Sequence, residues 1–99
     1  MIEVGSLEAL PETEGVLVET EAGIEIAVFR LGEDVVAVQA DCPHRGGPLV
    51  EGTRCGIDQL ECPWHAWYFD LRTGKCLNQE AQLLCYPVRI VDGTVFVVA

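Results

Sequence analysis

Two short stretches of the chain hold residue types that bind metals: Cys42-Pro43-His44-Arg45-Gly46-Gly47-Pro48-Leu49 and Cys62-Pro63-Trp64-His65. As a pattern this is C-x-H, seventeen residues, then C-x-x-H, and both histidines of the chain lie in it. Thiolate ligands select iron–sulfur or zinc, and imidazole suits both metals. A single zinc can be built from two Cys and two His, but its usual spacing groups like ligands, two Cys in one half and two His in the other. A two-iron, two-sulfide cluster with unequal ends needs two thiolates on one iron and two imidazoles on the other. Two loops that each give one Cys and one His meet that need. Gly46 and Gly47 let the backbone come close and would turn N–H groups toward sulfur. Pro43, Pro48 and Pro63 stiffen the loops, which lowers the ordering cost of binding.

Loops of this kind need a rigid frame, and the flanking sequence predicts one made of strands. Residues 15–20 (GVLVET), 24–31 (IEIAVFRL) and 35–39 (VVAVQ) are rich in β-branched side chains, and Gly32-Glu33-Asp34 reads as the turn of a hairpin. Residues 86–91 (YPVRIV) and 94–98 (TVFVV) flank Asp92-Gly93, a strong hairpin signal. Residues 6–10 can make one helical turn before Pro11, and residues 78–84 allow either a short helix or a loop. No amphipathic stretch of helical length stands out, so the class is all-β. The expected organisation is one domain over residues 1–99, with β-hairpin blocks at about 1–39 and 70–99 flanking a specialised insertion of about 40–69. FDLRTG, residues 69–74, reads as a tight hairpin turn with Thr73-Gly74 at its corner.

With 99 residues there is room for one domain, and 49% apolar residues suffice for a core. The net charge is −10, which excludes nucleic acid and anionic membrane as partners by repulsion. Nine of those ten charges lie before Cys42. They read as a solvated face, or as a field that steers the protein toward a basic partner. No apolar run approaches the roughly 18 residues of a membrane span. The start at Met1 lacks a basic and then apolar leader, which predicts a cytoplasmic protein. Five Cys in such a chain argue for metal ligands and free thiols over a disulfide framework. Cys55, Cys76 and Cys85 are expected as buried or half-buried thiols.

CPHRGGPL followed by ECPWHAWYFDLRTG resembles the Rieske [2Fe–2S] proteins, above all the small soluble Rieske-type ferredoxins that serve bacterial ring-hydroxylating oxygenases. The likeness covers nearly the whole chain. It implies a small antiparallel β-sandwich with a two-loop cluster-binding subdomain and one [2Fe–2S] cluster per chain. It implies that Cys42 and Cys62 hold the buried iron, and that His44 and His65 hold the outer iron. Gly47 and Trp64 stand where high-potential members have a disulfide. Trp67 and Phe69 stand where those members have hydroxyl donors to sulfur. The resemblance therefore implies a potential low in the range of roughly −150 to +300 mV. Ala66 stands where the family usually has Gly. Arg45, Gly46, Gly47, Pro48, Trp64 and Trp67 are candidates for supporting the cluster or docking a partner. Trp64 falls between two ligand positions, and Arg45 can contact a partner or pair with Asp41 or Glu51.

No nucleophile–base pair or mononuclear iron triad is present in the sequence, so the chain is expected to pass electrons rather than catalyse. The resemblance implies a monomer that takes an electron from a flavin-containing ferredoxin reductase and gives it to a terminal oxygenase. The nearest alternative is a small Rieske-type subunit of another redox enzyme, such as assimilatory nitrite reductase. A structural zinc module and a regulatory domain that carries a cluster without turning over electrons are the remaining ones.

Overall fold

A computed structural model of the chain describes residues 1–43, 46–63 and 67–99. Among them ten strands form three antiparallel sheets. The first sheet joins β1 (Ile2–Ser6), β10 (Thr94–Val97) and β9 (Val88–Val91), in that order. The second runs β2 (Val16–Glu19), β3 (Glu25–Leu31), β4 (Asp34–Gln39), β8 (Cys85–Tyr86). The third runs β5 (Thr53–Arg54), β6 (Gln59–Glu61), β7 (Tyr68–Asp70) and occupies the insertion.

The second sheet lies in the middle, and β3 shows why. Its pleat sends Ile26 and Val28 into one core with Leu10, Val35, Ala37, Val95 and Val97. It sends Ala27, Phe29 and Leu31 into a second core with Val38, Leu49, Leu60, Phe69, Leu71 and Leu83. A strand covered on both faces is apolar over its buried length, which is why Ile26 to Phe29 do not alternate with polar residues. Each fully buried Leu, Ile or Phe contributes about 1.5–3 kcal/mol. The Phe29 ring lies so close to Gly15 that a Cβ there would come within 2.6 Å of it.

The hairpins form as the turn residues predict. Gly32 takes φ +69° between the paired Leu31 and Asp34. Asp92 and Gly93 take φ +50° and +77° between Val91 and Thr94, as a type I′ turn requires. Residues 6–10 form one 3-10 turn, Leu7–Ala9, capped by Ser6 Oγ, which accepts the Ala9 N–H at 3.1 Å.

Two expectations change and one open alternative is settled. Residues 86–91 are not one strand. Pro87 has no N–H to continue a ladder, and the chain crosses there from the second sheet, β8, to the first, β9. Residues 78–84 are a loop, held by the Cys76 N–H donating to the Ala81 carbonyl at 3.0 Å and by a Lys75–Gln82 bridge. Cys85 is exposed, because β8 is a two-residue edge strand with β4 on one side only. Cys76 is buried and Cys55 half-buried, as expected.

Candidate metal centre

Each of the two cysteine loops is a six-residue tip closed in the same way. In the first, Asp41 and Pro48 form a bridge, and the Cys42 N–H donates to the Gly47 carbonyl at 2.8 Å. In the second, Glu61 pairs with Tyr68, and the Cys62 N–H donates to the Trp67 carbonyl at 2.8 Å. Tips 42–47 and 62–67 thus begin with a cysteine in an equivalent position. In the sequence each cysteine is followed by a histidine two or three residues further along. His44, Arg45, Trp64, His65 and Ala66 lie outside the described residues.

Cys42 is 2% exposed and Cys62 1%, and both belong to the core that holds Leu49, Leu60, Phe69, Leu71 and Leu83. No charged side chain is buried among the described residues. Two thiolates in such surroundings would be costly unless a cation neutralised them. The donor set therefore fits a metal centre with sulfur ligands, and the apolar wall would keep water from it.

The supporting residues differ in part from expectation. The Gly46 N–H does not turn toward sulfur; it donates to the Cys42 carbonyl at 2.9 Å, with Gly46 at φ +71°. The tight tip uses that amide, and the left-handed conformation explains the glycine. Gly47 is buried and supplies the carbonyl that closes the tip, and Pro48 is half-buried at its base. Trp67 is half-buried against the core, 6.5 Å from the Phe69 ring at 51°. It packs there as a support.

Several residues with no local signal position the tips. Arg54 on β5 lies over the Phe29 ring at 5.9 Å and donates to the carbonyls of Arg30, at 3.2 Å, and of Ile57. It fastens the third sheet to the second. Partial burial lowers its pKa, opposed by the charge of Asp58. Arg72 pairs with Asp34 at 3.1 Å and Asp58 at 3.6 Å, an exposed contact worth about 1 kcal/mol or less. The Glu61 carboxylate, across the ladder from Tyr68, pushes the phenol's pKa up. Gln39 and Asn78 hydrogen-bond with the bases of the tips through their side-chain amides.

Gly52 joins the exit of the first tip to the entry of the second. It follows the 3-10 turn Leu49–Glu51, and a Cβ on it would stand 2.5 Å from the Glu61 carbonyl and 3.1 Å from that of Leu49. Its φ of −69° is ordinary, so the obstacle is purely steric. Gly52→Ala is expected to cost about 1–3 kcal/mol in urea unfolding. A loss under about 0.5 kcal/mol would show that β6 can move away freely.

The profile of the Rieske [2Fe–2S] domain family matches residues 1–87. The ferredoxin subunit of 3-phenylpropionate/cinnamic acid dioxygenase of Escherichia coli is 34% identical over 90 residues, 89% of this chain and 83% of that one. The ferredoxin in a complex of reduced oxygenase and oxidized ferredoxin of carbazole 1,9a-dioxygenase superposes with a TM-score of 0.90 at 27% identity, covering 98% of this chain and 100% of that one. A Mycobacterium tuberculosis chain assigned as the small subunit of an NADH-dependent nitrite reductase superposes with a TM-score of 0.85 at 27% identity, covering 98% and 94%.

Proposed function

We propose, from the premise that this chain belongs to the Rieske [2Fe–2S] domain family, that it is the one-electron carrier of an oxygenase system acting on aromatic compounds. The observation that carries this reading is the pair of equivalent tips, each beginning with a buried cysteine in one apolar core. One [2Fe–2S] cluster per chain supplies reversible one-electron chemistry when bound. Cys42 and Cys62 hold one iron through thiolates, and His44 and His65 hold the other through imidazoles. Leu49, Leu60, Phe69 and Leu71 exclude water from the cysteine side. Residues 40–69 serve as the cluster-binding part, and residues 1–39 and 70–99 as its base.

The electron comes from a flavin-containing ferredoxin reductase and leaves to a terminal oxygenase, through transient contacts of a monomer. No helix of the described residues is long and apolar enough to cross a membrane; the proposed location is the cytoplasm. A second reading, the small subunit of a nitrite reductase, is supported by the likeness to the Mycobacterium tuberculosis chain. The ferredoxin subunits that match in sequence favour the first.

Iron and acid-labile sulfide counts with an EPR spectrum of the reduced protein test the cofactor. Stopped-flow reduction of an aromatic-ring oxygenase, beside a nitrite reductase large subunit, separates the two readings. Because nine of the ten net negative charges precede Cys42, docking to a basic partner is expected to weaken with salt. The rate constant should fall about tenfold or more between low and high ionic strength. A rate indifferent to salt removes the steering role of the acidic half.

A further inference from the structure

Residues 77–84 belong to neither tip, yet they hydrogen-bond with the base of both. At the first tip, the Gln39 side chain uses both ends of its amide. Nε2 donates to the Asp41 carbonyl at 2.8 Å, and Oε1 accepts the Leu84 N–H at 2.7 Å. The Gln39 N–H returns to the Leu84 carbonyl at 2.8 Å. Asp41 immediately precedes Cys42. At the second tip, Asn78 Oδ1 accepts the Tyr68 N–H at 3.1 Å and the Cys76 thiol at 3.4 Å. The Leu77 N–H donates to the Tyr68 carbonyl at 2.7 Å. Tyr68 immediately follows Trp67, whose carbonyl closes the second tip. Between these anchors Ala81 packs on the core that contains Cys42 and Cys62.

The two tips come from different connections of the chain and, among the described residues, form no ladder with each other: Asp41 bridges to Pro48 and Glu61 pairs with Tyr68. Their separation therefore depends on what spans them. We infer that residues 77–84 are a splint that sets the distance between the two cysteine tips, with Gln39 and Asn78 as its positioning residues. This rests on the reading of the tips as the cluster-binding loops. A four-ligand centre shared between two loops is sensitive to their separation, because a ligand displaced by a fraction of an ångström binds weakly.

The test uses the full chain with Gln39→Met, Asn78→Ala and Asn78→Asp. Met keeps the volume of Gln39 and loses both amide contacts. Asp keeps the acceptor oxygen of Asn78, and Ala removes it. Both positions are at least partly exposed, so the fold should survive. Each of the first two variants loses about two hydrogen bonds, so cluster bleaching by a chelator should speed up about tenfold. The g-values of the reduced cluster should shift as well, which a merely stabilising contact would not produce. Asn78→Asp should bleach within about twofold of the parent. Bleaching and g-values unchanged in both Gln39→Met and Asn78→Ala overturn the splint. A parent protein that never acquires iron and sulfide overturns the cluster reading instead. Amide exchange then decides the splint: the Cys42 and Cys62 N–H groups donate to the Gly47 and Trp67 carbonyls that close the tips, so faster exchange there in the variants supports it and unchanged exchange rejects it.

Discussion

Cys42→Ala and Cys62→Ala should each yield protein whose iron content falls by more than about tenfold, since losing a ligand costs more than losing a group behind one. The informative comparison is Cys76→Ala. Cys76 is 2% exposed, as Cys42 is, and lies in the same core. The three substitutions remove the same atom from equally dry surroundings, so their packing losses are alike, about 1 kcal/mol; Cys76→Ala also removes the thiol's hydrogen bond to Asn78 Oδ1 but leaves that oxygen on the Tyr68 N–H. Only the two tip cysteines should take the colour with them. Iron retained in Cys42→Ala, or lost equally in Cys76→Ala, would mean that the tips do not hold the metal.

The second large effect is expected at a turn. Gly74 and Gly93 both have φ +77°. An alanine in that region costs about 1–2 kcal/mol. A Cβ at Gly93 would meet nothing within 4 Å, but one at Gly74 would stand 2.7 Å from the Leu83 carbonyl, 2.7 Å from Cys85 Sγ and 2.8 Å from Gln82 Nε2. The Gly74 N–H also donates to the Asp70 carbonyl, and its carbonyl accepts the Leu83 N–H. Gly93→Ala should therefore cost about 1–2 kcal/mol and Gly74→Ala about 2–5. For a chain of this length each kcal/mol lowers Tm by about 4–8 °C. Equal Tm values for the two variants would show that the FDLRTG turn and residues 82–85 separate without cost.

The metal-binding pattern was legible because ligand chemistry restricts it to a few residue types at short range. Cys42, His44, Cys62 and His65 stand out whatever the fold. The hairpins at Gly32-Glu33 and Asp92-Gly93 were legible because their backbone conformations demand particular residues. β5, β6 and β7 were not, since strands of two or three residues carry no periodicity. The sheet crossing at Pro87 was hidden in a run that looks continuous by composition. Gln39 and Asn78 were invisible for another reason: their partners are distant in sequence or appear only once loop 77–84 has folded back. The Gly46 amide was assigned to sulfur because nothing local announces that Cys42 will take it.

The double-sided burial of β3 leaves Ile26 to Phe29 unmarked by polarity. If the strand slid by one residue against its neighbours, Ile26 and Val28 would exchange places with Ala27 and Phe29, and both cores would still receive apolar groups there. Two features break that degeneracy. Arg30 would have to leave the carbonyls of Leu7, Leu10 and Gly32 and enter the place of Leu31 or Phe29. The aromatic ring of Phe29 occupies the hollow over Gly15 that no larger residue would leave open. The alignment of the sheet that carries the chain into Cys42 is thus keyed by one charge, one bulge and one gap.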